Sequence, residues 1–89
     1  MTKTIAIVED DLDQRENYAD VLTAHGYAVQ LYAAKDEALS GFGESLPDLA
    51  LLDVMLGEDM DGGFDLCMAL RNQSQTLPVI FLTARDSDA

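Results

Sequence analysis

The sequence predicts an α/β fold in which a parallel β-sheet is doubly wound, with helices on both of its faces. Short stretches that are apolar throughout alternate with stretches whose apolar residues recur at helical spacing. Strands that are apolar on both faces are typical of parallel sheets, and a repeated strand–helix order favours right-handed crossovers. The length of 89 residues suits one small domain.

The elements follow one another in the order βαβαβαβ. The predicted strands are residues 5–8, 27–32, 48–53 and 78–83. The predicted helices are residues 12–25, 34–42 and 64–72, and an acidic loop, residues 57–63, precedes the last of them. Asp11 or Asp13 can cap the first helix and Gly26 is placed to end it. The last helix is expected to build its apolar face on Phe64, Cys67 and Met68.

The charge balance excludes several classes of partner. Asp and Glu number 17 against 5 Lys and Arg, and the formal net charge is −12. Such a surface repels nucleic-acid phosphates and anionic lipid headgroups, so we expect no nucleic-acid binding by this segment and no membrane association. The 48% hydrophobic content argues against intrinsic disorder, because it provides enough apolar surface for a packed interior.

Cysteine content and the N-terminus indicate the compartment. Cys67 is the single cysteine, so the chain cannot form an internal disulfide or a thiolate zinc site. Residues 1–5 lack the apolar region of a signal peptide, and no apolar run is long enough for a membrane span. We therefore expect a cytoplasmic protein.

Acidic residues follow two of the predicted strands at the point where each strand ends. Glu9 and Asp10 follow the first strand, and Asp53 ends the third. Ligands of open parallel sheets bind at the carboxyl ends of the strands. If these two strands are neighbours, three carboxylates converge there, and a hard divalent cation such as Mg²⁺ would offset their repulsion. The alternative is that each acid is a helix cap or a solvated strand end.

Other chemistries lack their signatures. There is no GxxxxGK[ST] loop for a nucleoside triphosphate and no GxGxxG fingerprint after the first strand. His25 is the single histidine, lies near a helix end, and pairs with no Ser or Cys as a triad. A carboxylate nucleophile that accepts a phosphoryl group remains open.

Three segments together resemble the N-terminal signatures of bacterial two-component response-regulator receiver domains. They are IAIVEDD at residues 5–11, LLDVML at residues 51–56 and PVIFLTAR at residues 78–85. They occur in order and at the family's spacing, and the Glu-Asp pair and the Thr-Ala-Arg end are similar to receivers that precede a winged-helix DNA-binding domain. The resemblance implies a flavodoxin-like sheet and a phosphoryl transfer from a sensor histidine kinase or a small acyl phosphate.

The resemblance also implies a role for each matching residue. Asp53 would be the phospho-acceptor, and Asp10, Glu9 and the backbone carbonyl of Met55 would hold Mg²⁺ together with it. Thr83 would bind the phosphoryl oxygens and switch on activation, with the Ala84 backbone N–H close to the phosphate. The protein would then be a signalling switch that regulates transcription through a separate output domain, and not a turnover enzyme.

The chain departs from the family pattern at two places. Gly57 stands where a Pro is usual, in a loop about one residue longer than expected. The helix, the Lys-bearing fifth strand and the final helix of the family are absent, and neither Lys3 nor Lys35 is placed to substitute for that Lys. We therefore expect residues 1–89 to be a receiver domain that is incomplete at its C-terminus. Its bare fourth strand would favour pairing with a second copy or an exchange of elements.

Two other functions stay open. One is a pseudo-receiver, an interaction module without phosphorylation, which the missing Lys favours and the intact Asp10, Asp53 and Thr83 oppose. The other is an aspartyl-nucleophile Mg²⁺ phosphatase. Such enzymes place a second Asp two residues after the nucleophile, where this chain has Met55.

Overall fold

The computed structural model describes residues 2–54, 56 and 62–82. In these residues strands and helices alternate as the sequence predicts. The strands are β1 (Thr4–Val8), β2 (Ala28–Tyr32), β3 (Leu49–Asp53) and β4 (Val79–Leu82). The helices are α1 (Leu12–Ala24), α2 (Lys35–Glu44) and α3 (Gly62–Gln73).

The four strands form one parallel sheet in the order β2-β1-β3-β4. β1 and β3 are therefore neighbours at the centre, with Val8 opposite Leu52. β2 lies at one edge, and its Tyr32 pairs with Val8 from the other side. The predicted doubly wound α/β sheet is confirmed.

Successive residues of β1 face opposite sides of the sheet, and each side has its own apolar cluster. Ala6 and Val8 belong to the cluster on the α2 and α3 side, where Phe42 and Leu66 are also buried. The α1 side is smaller. It contains Ile5, Ile7 and Ala19, with Tyr18, Leu22, Val29, Leu49 and Leu51 partly buried around them. Helices on both faces make β1 the most deeply buried strand, which explains why it is apolar from Ile5 to Val8.

Both ends of α1 are set by the residues that the sequence offers for them. The Asp11 side chain accepts a hydrogen bond from the Gln14 backbone N–H at 3.1 Å, which caps the first turn. Gly26 has φ of +92°, the left-handed conformation that ends a helix at little cost for glycine. His25 closes the helix and is exposed, with Nδ1 2.9 Å from the Val21 carbonyl oxygen.

The predicted apolar face of α3 is wrong. Leu66 and Leu70 are fully buried, whereas Phe64 is 48% exposed and Met68 67% exposed. Two apolar rows run along this helix, and the row with the two glycines and two leucines is the one that faces β3. Cys67 lies between the rows and is half-buried. The helix also begins earlier than predicted, because Gly62 and Gly63 are helical rather than part of the loop.

No helix within the described ranges combines the length and the apolar character that crossing a membrane requires.

Candidate functional site

The site lies where β1 and β3 end side by side. Val8 pairs with Leu52 in the parallel register, so the next residues along the two strands, Glu9 and Asp53, face each other across the same edge of the sheet. Asp10 follows Glu9 directly. The backbone N–H of Glu9 still donates to the carbonyl oxygen of Tyr32 at 3.1 Å, so the chain keeps its sheet geometry up to the first of these acids.

The three acidic side chains converge. One carboxylate oxygen from each of Glu9, Asp10 and Asp53 lies within 4.8 Å of the others. Glu9 and Asp53 are buried, with relative exposures of 1% and 4%, and Asp10 is exposed. The cluster, called the acidic crevice below, thus has two buried acids and one exposed acid. The structure brings together the three carboxylates that the sequence analysis selected.

The pKa of Glu9 reflects this arrangement of buried, neighbouring acids. Burial, together with the neighbouring carboxyl groups of Asp53 and Asp10, raises the pKa of its carboxyl from 4.5 to about 7. The backbone N–H of Asp11 acts in the opposite direction, since it donates to Glu9 Oε2 at 3.1 Å. Metal-free Glu9 therefore holds a proton for part of the time at neutral pH.

The residues present fit a hard divalent cation. Glu9 Oε1 is buried and accepts no hydrogen bond from the described residues. This oxygen atom is therefore suited to coordinate a metal ion. The three side chains offer only carboxylate oxygens, the donor type that Mg²⁺ prefers. A bound cation would also offset both the burial and the repulsion that raise the pKa of Glu9.

Gly63 is a residue of the site that sequence reasoning missed. A Cβ at this position would overlap the carbonyl oxygen of Asp53, so only glycine lets the start of α3 approach the end of β3 this closely. The Gly63 backbone N–H donates to the Val54 carbonyl oxygen at 3.0 Å. The two adjacent glycines before an amphipathic stretch were the available signal, and they predict a loop equally well.

The structure accounts for the remaining candidates in different ways. Met55, Thr83 and Ala84 lie outside the described residues. Lys3 precedes β1 and so lies at the opposite edge of the sheet, away from the acids. Lys35 forms an ion pair with Asp65, Nζ to Oδ2 at 3.1 Å, which links the start of α2 to the first turn of α3.

Comparison with known proteins identifies the family. The family model for the response regulator receiver domain matches residues 5–89. The response regulator MprA of Mycobacterium bovis (strain BCG / Pasteur 1173P2) is 39% identical over 87 residues, which cover 98% of this chain and 37% of that protein. The chain thus spans well under half the length of this curated relative.

Solved structures agree with the sequence matches. The N-terminal domain of a response regulator/sensory box/GGDEF 3-domain protein from Carboxydothermus hydrogenoformans aligns with a TM-score of 0.85 at 39% identity, covering 98% of this chain and 69% of that one. The BeF3-activated N-terminal receiver domain of Klebsiella pneumoniae RstA aligns with a TM-score of 0.79 at 40% identity, covering 96% of this chain and 70% of that one. Together with the sheet order and the acidic crevice, these matches establish that the chain belongs to the response regulator receiver domain family.

Proposed function

We propose that this receiver domain accepts a phosphoryl group on Asp53 and uses Mg²⁺ to do so. The observation that carries the proposal is the convergence of Glu9, Asp10 and Asp53 within 4.8 Å at the carboxyl edge of the sheet. Three carboxylates this close repel one another, and a bound divalent cation would offset that repulsion.

The chemical step is a transfer between two nucleophiles. An Asp53 carboxylate oxygen attacks the phosphorus of the donor, and a new O–P bond forms as the bond from phosphorus to the donor atom breaks. When the donor is a phosphohistidine, the bonding electron pair leaves with the imidazole nitrogen. The product is an acyl phosphate on Asp53, so the chain supplies the acceptor and the geometry while the donor supplies the energy.

Glu9, Asp10 and Asp53, with the Met55 carbonyl proposed as a further ligand, would hold the metal. When bound, Mg²⁺ neutralises the negative charge that carboxylate and phosphoryl oxygens bring together during transfer. Burial of Glu9 and Asp53 strengthens this effect, because charges interact more strongly where water is excluded.

The proposal also includes a switch, formed by Thr83 and Ala84, that responds to phosphorylation. They immediately follow β4, which pairs with β3 so that Leu82 lies opposite Asp53. The described part of β4 thus reaches the level of Asp53, one of the three acids. We assign to the Thr83 hydroxyl and the Ala84 N–H the binding of phosphoryl oxygens, and to their movement the signal that reaches a transcriptional output.

The proposed partner is a sensor histidine kinase in the cytoplasm, with a small acyl phosphate as an alternative donor. We also propose self-association through β4. Among the strands that the structure describes, β4 is at the edge of the sheet, and Ile80 is 50% exposed on it. An apolar edge strand favours pairing with a second copy.

Beryllofluoride, a phosphoryl mimic, tests the proposed site. With Mg²⁺ present, fluorine NMR should show a bound signal for the wild type and none for Asp53→Asn. Asp20→Asn is the matched control, since it removes the same charge from an exposed position on α1. Binding by Asp53→Asn, or binding that does not require Mg²⁺, would overturn the proposal.

A further inference from the structure

The junction between β1 and α1 contains a cation that the proposed chemistry does not use. Arg15 Nη1 donates a hydrogen bond of 2.7 Å to the backbone carbonyl oxygen of Glu9. Val8 is the last residue of β1 that pairs with β3, so the Glu9 carbonyl lies just beyond that ladder. The guanidinium thus binds a carbonyl group just beyond the part of β1 that pairs with β3.

Local geometry holds Arg15 in this position. The Arg15 backbone N–H donates to the Asp11 carbonyl oxygen at 2.9 Å, which fixes it in the first turn of α1. Asp11 in turn caps that turn through its side chain and donates its backbone N–H to Glu9 Oε2. These bonds close a ring that runs from Glu9 through Asp11 to Arg15 and back to Glu9.

We propose that Arg15 is a positioning residue of the cation site, because its guanidinium fixes the peptide between Glu9 and Asp10 and so aims both carboxylates at one point. The inference rests on the proposed function, since it concerns Mg²⁺ binding by the same acids. Arg15 touches the carbonyl and not the carboxylates in this contact, so it acts through the backbone. Groups that orient metal ligands in this way typically change metal affinity 10- to 100-fold when removed.

Positioning and simple electrostatics predict opposite results for the loss of Arg15. A fixed positive charge beside a cation site repels the cation, so its removal would tighten Mg²⁺ binding if charge were its main effect. If Arg15 positions the ligands, its removal loosens the Glu9–Asp10 peptide and weakens binding. The sign of the change therefore separates the two roles.

The experiment is a Mg²⁺ titration by calorimetry on the wild type, Arg15→Met, Arg15→Lys and Leu22→Ala. Arg15→Met should bind Mg²⁺ about tenfold more weakly. Arg15→Lys keeps one charged donor and should fall between it and the wild type. Leu22→Ala is the control for stability, because Leu22 packs on the apolar cluster of the α1 side from the last turns of that helix, and it should bind as the wild type does.

A second measurement needs no metal. The Asp10 amide nitrogen belongs to the peptide whose carbonyl accepts the Arg15 bond, so its NMR shift should move in metal-free Arg15→Met and largely return in Arg15→Lys.

The inference is overturned if Arg15→Met binds Mg²⁺ as well as or better than the wild type, or if Leu22→Ala weakens binding equally. Asp53→Asn separates the two claims. If it loses Mg²⁺ while Arg15→Met does not, the inference fails and the proposed function stands, whereas a wild type that binds no Mg²⁺ ends both.

Discussion

At the scale of single residues, Glu9 shows that burying neighbouring acids reduces the stability of the fold. Its side chain is 1% exposed and lies beside two other acids, and its pKa is raised to about 7. The unfolded chain would release this proton near its ordinary value of 4.5. Between these two values the folded protein binds the proton and the unfolded chain does not.

The sign of the resulting pH dependence follows. The stability that protonated Glu9 contributes is fully present below about pH 4.5 and is lost as pH rises through about 7. Without metal, the free energy of unfolding of the wild type should therefore fall between these values relative to that of Glu9→Gln. Urea denaturation of both proteins across this range measures the difference. Parallel pH profiles for the two proteins would show that Glu9 is not protonated in the fold.

The residue scale also shows what the sequence could reveal about the site. The convergence of Glu9, Asp10 and Asp53 was predictable for neighbouring parallel strands, because such strands end at a shared edge and these acids lie where two apolar runs end. Their unequal burial was not predictable, because it depends on how the chain turns after Val8. The contact of Gly63 with the Asp53 carbonyl depends on the path of α3, which local sequence patterns do not encode. The roles of Met55, Thr83 and Ala84 stay predictions.

At the scale of elements, α2 shows why a glycine can be required inside a helix. A Cβ at Gly41 would overlap the ring and hydroxyl of Tyr32, the residue at the end of β2. Tyr32 packs edge-on against Phe42, with ring centroids 5.5 Å apart. Helix propensity alone treats Gly41 as a defect of about 1 kcal/mol relative to alanine. The packing of α2 on β2, however, leaves no room for a Cβ at this position and so requires a glycine there.

A pair of substitutions in this helix tests that conclusion. Gly41→Ala should destabilise the protein by about 1–3 kcal/mol, the usual cost of overpacking, despite the gain in helix propensity. Gly43→Ala is the matched control, because a Cβ there meets nothing within 4 Å, and it should be neutral or stabilise by up to about 1 kcal/mol. Thermal unfolding of both variants gives the comparison. Equal effects of the two substitutions would contradict the packing argument.

The packing of elements also explains why the predicted buried face of α3 was wrong. Phe64 and Met68 are the larger apolar residues of the helix, so a reading by size places them inside. Leu66 and Leu70 are buried instead, because the tight approach at Gly63 sets which side of the helix meets β3. Phe64 still packs on Phe81 of β4, with ring centroids 5.1 Å apart. Element types were predictable from periodicity, but the rotation of a helix with two apolar rows was not.

At the scale of the whole molecule, two features oppose each other. The net charge of −12 disfavours association between copies, whereas the apolar edge at β4 favours it. Salt screens the charge repulsion between copies but does not weaken the apolar attraction at β4. That residues 1–89 form a receiver domain incomplete at its C-terminus stays a prediction, and the chain covers 37% of the length of its MprA relative.

Self-association should therefore depend on β4 and increase with salt. The wild type should show concentration-dependent sedimentation that becomes stronger as ionic strength rises, and Ile80→Lys should remain monomeric. Leu31→Lys is the matched control, since it places the same charge on a 41% exposed residue of the other edge strand, β2. A wild type that stays monomeric at high concentration and high salt would contradict the proposed pairing.

The central claim is that the acidic crevice is a Mg²⁺-dependent phospho-acceptor, and intact mass spectrometry with acetyl phosphate tests it most directly. The wild type should gain the mass of one phosphoryl group in the presence of Mg²⁺ and lose it in alkali, as an acyl phosphate does. Asp53→Asn, or chelation of Mg²⁺, should abolish the gain, and Asp20→Asn should leave it intact. Continuous release of phosphate without an adduct would indicate a hydrolase, and no reaction at all would indicate a pseudo-receiver. Either result would contradict the account.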